Sequence, residues 1–274
     1  MALRIDGTLL LAGAGNMGLA MLAGWLERGL DPKCIVVQDP SPPPRARALI
    51  EEHGLDLRAK VGSLREPPAV LVVALKPQTM DEAFPVLAEL TRPSTVVLSV
   101  AAGRRIDGFE HHLKKGTGVV RSMPNTPASI GRGITAAAAN SSVTPAQRTT
   151  CDALLRAVGE VVWVDDENLL DAVTAVSGSG PAYVFYLAEC MAEAGIKAGL
   201  PPELAKKLAR WTVSGAGELL HRSDLPADLL RQNVTSPNGT TFAALQVLMA
   251  DHGLAKLMRE AIAAATKRSR ELAQ

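Results

Sequence analysis

The sequence predicts an α/β protein, with an N-terminal Rossmann domain built on a parallel sheet and an all-α C-terminal domain. Short apolar segments alternate with helical patterns through the N-terminal part of the chain, as they do in βαβ units. A G-x-G-x-x-G motif follows the first apolar segment. From Leu169 to Gln274 the patterns are almost all helical. We therefore predict two domains, residues 1–167 and residues 168–274.

Composition narrows the classes of function. A chain of 274 residues is long enough to bury two cores. The 29 Lys and Arg residues balance 28 Asp and Glu, and aromatic residues make up only 3%, so nucleic acid is not an expected partner. Cys34, Cys151 and Cys190 are far apart and odd in number, which indicates reduced thiols and a cytoplasmic location. The five histidines have no metal-binding spacing, and no metal is expected.

An uncharged stretch from Gly7 to Leu26 is as long as a membrane span. Four glycines and Asn16 interrupt it, and such residues make a poor apolar helix. The stretch is better divided into a buried strand, Thr8–Ala12, and a helix that starts near Met17. We therefore expect no membrane association.

The motif between that strand and that helix is Gly13-Ala-Gly15-Asn-Met-Gly18. In a dinucleotide-binding loop, Gly13 would allow the tight turn, Gly15 the approach of the pyrophosphate, and Gly18 the close packing of helix on strand. We assign the loop to a cofactor, including the first residues of the helix, Asn16 and Met17. The alternative is a doubly wound domain that binds another anion at this point.

The cofactor prediction gains support from the next strand, Cys34–Val37, because an acidic residue, Asp39, follows it. In Rossmann domains an acid at this place binds the ribose hydroxyls. The remaining strands are predicted at Ala69–Leu75, Thr95–Val100, Gly118–Arg121, Gly133–Ala139 and Glu160–Val164. Helices are predicted around Arg45–His53, Asp81–Leu90 and Pro145–Val158.

Ligands of such sheets bind beyond the carboxyl ends of the strands. Ala74-Leu-Lys-Pro77 ends one strand and Ser99–Gly103 ends another, and their small residues leave room for a flat ring. Lys76 is a candidate catalytic residue, although a lysine at a strand end is more often solvated or close to a phosphate. A loop fixed by two prolines follows the fifth strand and supplies the polar residues Asn125 and Thr126.

The helical region contains two distinctive segments. Gly178, Gly180 and Pro181 should bend or break the first long helix, either for close helix packing or to leave a gap for substrate. The second segment, Asn233–Thr241, precedes the apolar helical pattern Phe242–Met249.

Small polar residues before a helix predict a side-chain N-cap. A helix N-terminus also attracts a carboxylate or phosphate through its free N–H groups, and hydroxyls add donors at Thr235, Ser236, Thr240 and Thr241. The alternative interpretation is a helix cap without a ligand.

Together these motifs resemble Δ1-pyrroline-5-carboxylate reductase over nearly the whole chain. The matching segments are Gly13–Gly18, Ala74–Pro77, Ala101–Gly103, Met123–Pro127, Asp171–Ala175, Ser177–Ala182 and Asn233–Thr241. The resemblance implies NADPH- or NADH-dependent reduction of a cyclic imine acid to L-proline, the last step of proline biosynthesis. It also implies a helical dimerisation domain that swaps between the subunits of a homodimer, and dimers of this family often join into decamers.

The resemblance also implies roles for individual residues. Thr241 is the candidate catalytic residue, since the family places there a hydroxyl that touches both the carboxylate end and the imine nitrogen. The substrate-binding residues implied are Ser177, Gly178, Ser236, Gly239, Thr240 and Thr241. The nicotinamide side is assigned to Ala74, Lys76, Pro77, Ala101 and Asn125. No histidine is needed, because solvent readily protonates this imine.

Departures from the family pattern concern the turn and the adenosine side. Asn238 stands where the family usually has glycine, and asparagine tolerates left-handed backbone angles. Asp39 stands where Ser or Asn is common, and Val61 where many members have asparagine. Asp39 favours NADH over NADPH, while Arg45 and Arg47 offer cations for a 2′-phosphate.

Two other classes remain as alternatives. A β-hydroxyacid dehydrogenase carries a catalytic lysine four residues after a glycine of the long helix, and this chain has Val184 there. A nucleotide-sensing or scaffold protein on the same fold is the other, since fold alone does not establish catalysis.

Overall fold

The structure is a computed structural model that describes residues 2–62 and 64–273. The described chain divides into two compact units. The sheet unit extends to Gly178 and includes the chain again from Ala265, and the helical unit is Ser179–Ala264. Residues 168–178 thus cluster with the sheet, and the domain boundary predicted between residues 167 and 168 stays a prediction.

Among the described residues, eight strands form one sheet in the order β3-β2-β1-β4-β5-β6-β7-β8. The strands are β1 Leu9–Ala12, β2 Ile35–Gln38, β3 Asp56–Arg58, β4 Val70–Val73, β5 Val96–Ser99, β6 Gly118–Met123, β7 Gly133–Ala139 and β8 Gly159–Trp163. The strand order reverses between β1 and β4, which creates the crevice where such sheets bind ligands.

The prediction of a parallel sheet needs one correction. Neighbouring strands are parallel except β6 and β7, which are antiparallel. The chain between Met123 and Gly133 is too short for a parallel crossover, which takes a dozen or more residues. Strand β7 therefore returns directly beside β6.

Helices cover both faces of the sheet. They are α1 Asn16–Glu27, α2 Pro44–Glu52, α3 Pro77–Ala88, α4 Ile106–Glu110, α5 Pro145–Arg156 and α6 Leu169–Val173. Strand β1 shows why both faces are apolar: Leu9 and Leu11 join one buried cluster with Trp25, and Leu10 joins the other with Phe84. Helix α3 begins at Pro77, earlier than predicted, because proline suits the first helical position.

The chain passes from the sheet unit to the next helix through an interruption. A π-helical turn, Thr174–Gly178, follows α6, and α7 begins at Gly180 with Pro181 in its first turn. The break predicted at these residues is therefore present. Turns of this kind are rare and are frequent at functional sites.

The helical unit contains α7 Gly180–Lys197, α8 Pro202–Arg222, α9 Ala227–Asn233, α10 Thr240–Leu248 and the first part of α11 Leu254–Leu272. Helices α7 and α8 pack closely because Gly195 leaves no side chain against Ala205. Large apolar side chains are nevertheless exposed by 63% to 72%, namely Phe185, Tyr186, Trp211 and Val247. Large apolar side chains this exposed indicate a surface that another protein covers.

Within residues 2–62 and 64–273, no helix has both the length and the apolar character needed to span a bilayer. The same residues contain no cluster of three or more His, Cys, Asp or Glu side chains arranged to hold a metal ion.

Candidate active site

The glycine-rich loop after β1 has the geometry that its sequence predicts. Gly13 has a φ of +95°, and a Cβ there would lie 2.6 Å from the carbonyl oxygen of Ala74. A Cβ on Gly18 would overlap the carbonyl oxygen of Gly13. Glycine is therefore required at both positions, at the first for the turn and at the second for the approach of α1 to β1.

Gly15 differs from these two glycines because the space beside it is open. Apart from Gly15 and its two chain neighbours, no described residue has an atom within 4 Å of where its Cβ would be. Gly15 is the N-cap of α1, with a φ of −65°. The N–H groups of the first helical turn, which starts with Asn16 and Met17, have no acceptor within the helix. This open cradle of donors is suited to a phosphate group.

The segment after β4 lies beside this loop. The backbone N–H of Ala74 donates to Ala12 at 2.8 Å, and a Cβ on Gly18 would lie 3.4 Å from the Ala74 Cβ. Lys76 is the exposed N-cap of α3, and Pro77 is the first residue of that helix. The structure thus brings the predicted residues of the β1 and β4 ends together at the crevice.

Asp39 is also tied to the glycine-rich loop. Its Oδ2 accepts a hydrogen bond from the N–H of Ala14 at 2.8 Å, and its Oδ1 accepts from the N–H of Ser41 at 2.8 Å. A carboxylate has about four acceptor positions, so ribose hydroxyls can still bind. Asp39 therefore holds the loop as well as lying at the end of β2.

Ala101 and Asn125 follow the ends of the next two strands, β5 and β6. Ala101 is buried, and its N–H donates to Ser99 Oγ at 3.2 Å. The Asn125 side chain has two protein partners: Nδ2 donates to the carbonyl of Ser177 at 3.2 Å, and Oδ1 accepts from the N–H of Ile134 at 3.0 Å. Asn125 thereby connects the loop after β6 to the π-helical turn.

The π-helical turn is packed against that same loop. A Cβ on Gly178 would lie 2.7 Å from Cε of Met123, the last residue of β6, so the turn lies against that strand. The Met123 methyl is the flexible end of its side chain and could move aside. The Ser177 hydroxyl donates to the carbonyl of Val173 at 3.1 Å. Ser177 and Gly178 therefore have fixed positions in the sheet unit, near Asn125.

The remaining predicted residues, Ser236, Gly239, Thr240 and Thr241, lie in the helical unit around the start of α10. The predicted side-chain cap is wrong: the N-cap is Gly239, with no capping bond from a side chain. Because the N-cap is Gly239, Thr240 and Thr241 are the first two residues of the helix. Asn238 has a φ of 57°, which confirms that asparagine adopts the left-handed conformation expected of it.

The hydroxyls around this helix start differ in their bonding. Thr235 Oγ1 donates back to the carbonyl of Arg231 at 2.6 Å. In the described chain, the hydroxyls of Ser236, Thr240 and Thr241 have no hydrogen-bond partner. Three hydroxyls and the N–H groups of a helix start are consequently available to a carboxylate.

Comparison with known proteins identifies the family. A model described as pyrroline-5-carboxylate reductase dimerisation matches residues 167–272, and one described as NADP oxidoreductase, coenzyme F420-dependent, matches residues 8–103. The curated pyrroline-5-carboxylate reductase of Pseudomonas aeruginosa is 40% identical over 262 residues, which cover 96% of this chain and 95% of that protein. The chain belongs to the pyrroline-5-carboxylate reductase family.

Solved structures agree with this membership. The pyrroline-5-carboxylate reductase of Coxiella burnetii superposes with a TM-score of 0.89 at 34% identity, covering 98% of this chain and 100% of that one. The Plasmodium falciparum pyrroline carboxylate reductase, solved with NADP bound, has a TM-score of 0.80 at 26% identity and covers 98% and 99%. The predicted fold class, the enzyme class and the use of NAD(P) are confirmed.

An ion pair between Arg121 of β6 and Glu167 was not predicted from the sequence. Arg121 of β6 is 4% exposed, and its Nη1 lies 2.8 Å from Glu167 Oε1. The same oxygen accepts from the N–H of Ile106 at 2.9 Å. An arginine within an apolar strand was the available signal, because a buried charge requires a partner.

The cysteines are free thiols and take no part in the predicted site. Burial raises the pKa of the Cys151 thiol to about 12. Cys151 therefore stays protonated at neutral pH, and it packs into the core from the buried face of α5.

Proposed function

We propose that this chain is a pyrroline-5-carboxylate reductase of proline biosynthesis, which reduces the C=N bond of 1-pyrroline-5-carboxylate with NADPH or NADH. The observation that carries the proposal is the 40% identity to a curated reductase over 96% of the chain. The two matching family models include the glycine-rich loop and the start of α10, respectively. The open glycine-rich loop would bind the cofactor, and the free hydroxyls would bind the substrate.

The residues of the sheet unit fit a nicotinamide dinucleotide. The open space at Gly15 and the first turn of α1 would hold the pyrophosphate. Asp39 would contact the adenosine ribose, and Ala74 and Ala101 would leave room for the nicotinamide ring. When bound, the cofactor supplies the hydride. Lys76, Pro77 and Asn125 complete the proposed cofactor contacts on the nicotinamide side.

The residues of the helical unit fit the substrate, a small imine that carries one carboxylate. Ser236, Gly239 and Thr240 would bind the carboxylate through hydroxyl and N–H donors. Thr241 would donate its hydroxyl toward the imine nitrogen or hold a water there. Because solvent protonates this imine, the protein contributes mainly by fixing the imine carbon relative to the hydride donor.

Ser177 and Gly178 are proposed to line the substrate gap. Their support is the π-helical turn, whose carbonyl at Ser177 accepts from Asn125. The contact joins a proposed substrate-lining residue to a proposed cofactor residue.

We also infer the assembly. The exposed apolar side chains of α7, α8 and α10 support a homodimer that exchanges its helical units, and the dimerisation model matches this region. Association of such dimers into a decamer is the further level expected in this family.

The test is oxidation of NADPH and of NADH by the purified chain with 1-pyrroline-5-carboxylate. We expect substrate-dependent oxidation of both cofactors and formation of L-proline in equal amount. A folded chain that binds the cofactor and leaves this imine unreduced would contradict the proposal. Oxidation of a β-hydroxyacid by NAD(P)+ instead would favour the dehydrogenase alternative, and cofactor binding without either reaction would favour a sensor.

A further inference from the structure

A cavity in the sheet unit is lined by none of the residues assigned above to cofactor or substrate. Its volume is about 410 Å³, and its lining residues are Arg105, Asn168, Asp171, Arg270 and Ala273. Helix α6 and the last turns of α11 form its walls. The Asp171 carboxylate and the Ser269 hydroxyl join these two helices at 2.7 Å.

Asp171 is the unusual residue of this cavity. It is only 3% exposed, and its Oδ1 accepts from Ser269 Oγ. Its Oδ2 has no partner among the described residues. No buried side-chain oxygen of the described residues lacks a hydrogen-bond partner, so Oδ2 is accessible, and Asp171 lines the cavity. It can therefore accept from a cationic or N–H donor bound there.

The opposite charge is provided by two arginines. Arg270 is exposed and its guanidinium forms no ion pair or hydrogen bond within residues 2–62 and 64–273. Arg105 is partly engaged, since its Nη2 donates to Asn168 Oδ1 at 3.1 Å and lies 3.7 Å from Glu167 Oε2. Because Glu167 already pairs with Arg121, Arg105 retains donors for another anion.

We propose that this cavity binds an acidic α-amino acid. The ligand's ammonium group would donate to Asp171 Oδ2, and its carboxylates would pair with Arg270 and Arg105. Two cations and one anion in the lining carry a net charge of +1, which complements a ligand with one ammonium and two carboxylates. A guanidinium pairs with a carboxylate through two parallel hydrogen bonds, which gives the site its geometric selectivity.

The test is calorimetric titration of the full chain with L-glutamate, without cofactor or imine substrate. We expect saturable binding that weakens at least tenfold in Arg270→Gln and in Asp171→Asn. Asparagine keeps an acceptor for Ser269, and melting curves check that each variant folds. Arg268→Gln is the matched control, because Arg268 lies on the same helix and pairs with Glu271 at 2.8 Å, and it should bind as the unaltered chain does.

Two comparisons make the test decisive. Glutarate has both carboxylates but no ammonium group, so it should bind at least tenfold more weakly than L-glutamate; equal binding would overturn the role of Asp171. Binding that is lost in Ser236→Ala and retained in Arg270→Gln would place the ligand at the proposed substrate site and overturn the proposal, as would the absence of binding. No outcome depends on imine reduction.

Discussion

The sheet unit and the helical unit bury their apolar residues to very different extents. In the sheet unit, β1 contributes Leu9, Leu10 and Leu11, each fully buried, and helices cover both faces. In the helical unit, Trp211 is 69% exposed and Phe185 is 63% exposed. A single chain therefore completes the core under the proposed cofactor crevice. The unit that carries the proposed substrate-binding hydroxyls has apolar faces that a second copy is proposed to cover.

The largest effect is expected from Gly18→Ala in the sheet unit. The added Cβ would overlap the carbonyl oxygen of Gly13, and crowding of this kind costs about 1–3 kcal/mol or more. We expect a lower melting temperature together with loss of NADPH binding, measured by thermal melts and fluorescence titration.

Gly15→Ala is the matched control for the loss of stability expected in Gly18→Ala. Apart from residue 15 and its two chain neighbours, no described residue has an atom within 4 Å of its Cβ, so the fold should keep its stability while the phosphate cradle is filled. If Gly15→Ala bound NADPH normally, the open space would not be the pyrophosphate site.

A charge in the exposed apolar face should disrupt the helical unit's proposed interface. Trp211→Glu should reduce the molecular mass in solution to that of one chain and lower activity at least tenfold, since burying an unpaired carboxylate in an interface is costly. Lys207→Glu also adds a negative charge to α8 but at a polar position, and it should keep both mass and activity. Equal behaviour of the two variants would argue against an apolar interface at Trp211.

Thr241→Ala should lower kcat/KM about tenfold or more and leave folding and cofactor binding intact. A neutral hydrogen bond is worth roughly 0.5–1.5 kcal/mol, and more when it forms mainly in the transition state. Ser236→Ala should mainly raise KM, because carboxylate binding is equal in ground and transition states. Steady-state kinetics with thermal melts decide: a lowered melting temperature with unchanged kcat/KM would make Thr241 purely structural.

The smallest effect is expected from substitutions of Asp39, which should change the preference between NADPH and NADH. Asp39→Ser should raise the NADPH-to-NADH ratio of kcat/KM by several-fold, because the serine does not repel a 2′-phosphate. Asp39→Asn separates charge from loop support, since an asparagine oxygen can still accept from the Ala14 N–H. A ratio that stays constant in both variants would mean that Asp39 serves only the loop.

The sequence predicted those parts of the fold that depend on local patterns. Buried apolar runs located strands such as Val70–Val73, and the glycine spacing located the loop beside them. Strand β3, Asp56–Arg58, was missed because it is short and polar at the edge of the sheet. Edge strands need no apolar run, so periodicity does not detect them.

The site was predictable to a similar degree. Glycines that sterics require, and the left-handed Asn238, follow from backbone rules. The cap at Gly239 was missed because several polar residues there were equally good caps by type. The bond between Asp171 and Ser269 joins positions 98 residues apart, and such contacts are set by tertiary packing that sequence patterns do not report.

The most direct test of the difference between the two units is light scattering on the unaltered chain at assay concentration, combined with the imine reduction assay on the same sample. We predict that all active protein has the mass of a dimer or of a larger assembly of dimers, because we propose that a second copy covers the helical unit's apolar faces. A well-folded monomer that reduces 1-pyrroline-5-carboxylate at the full rate would contradict this.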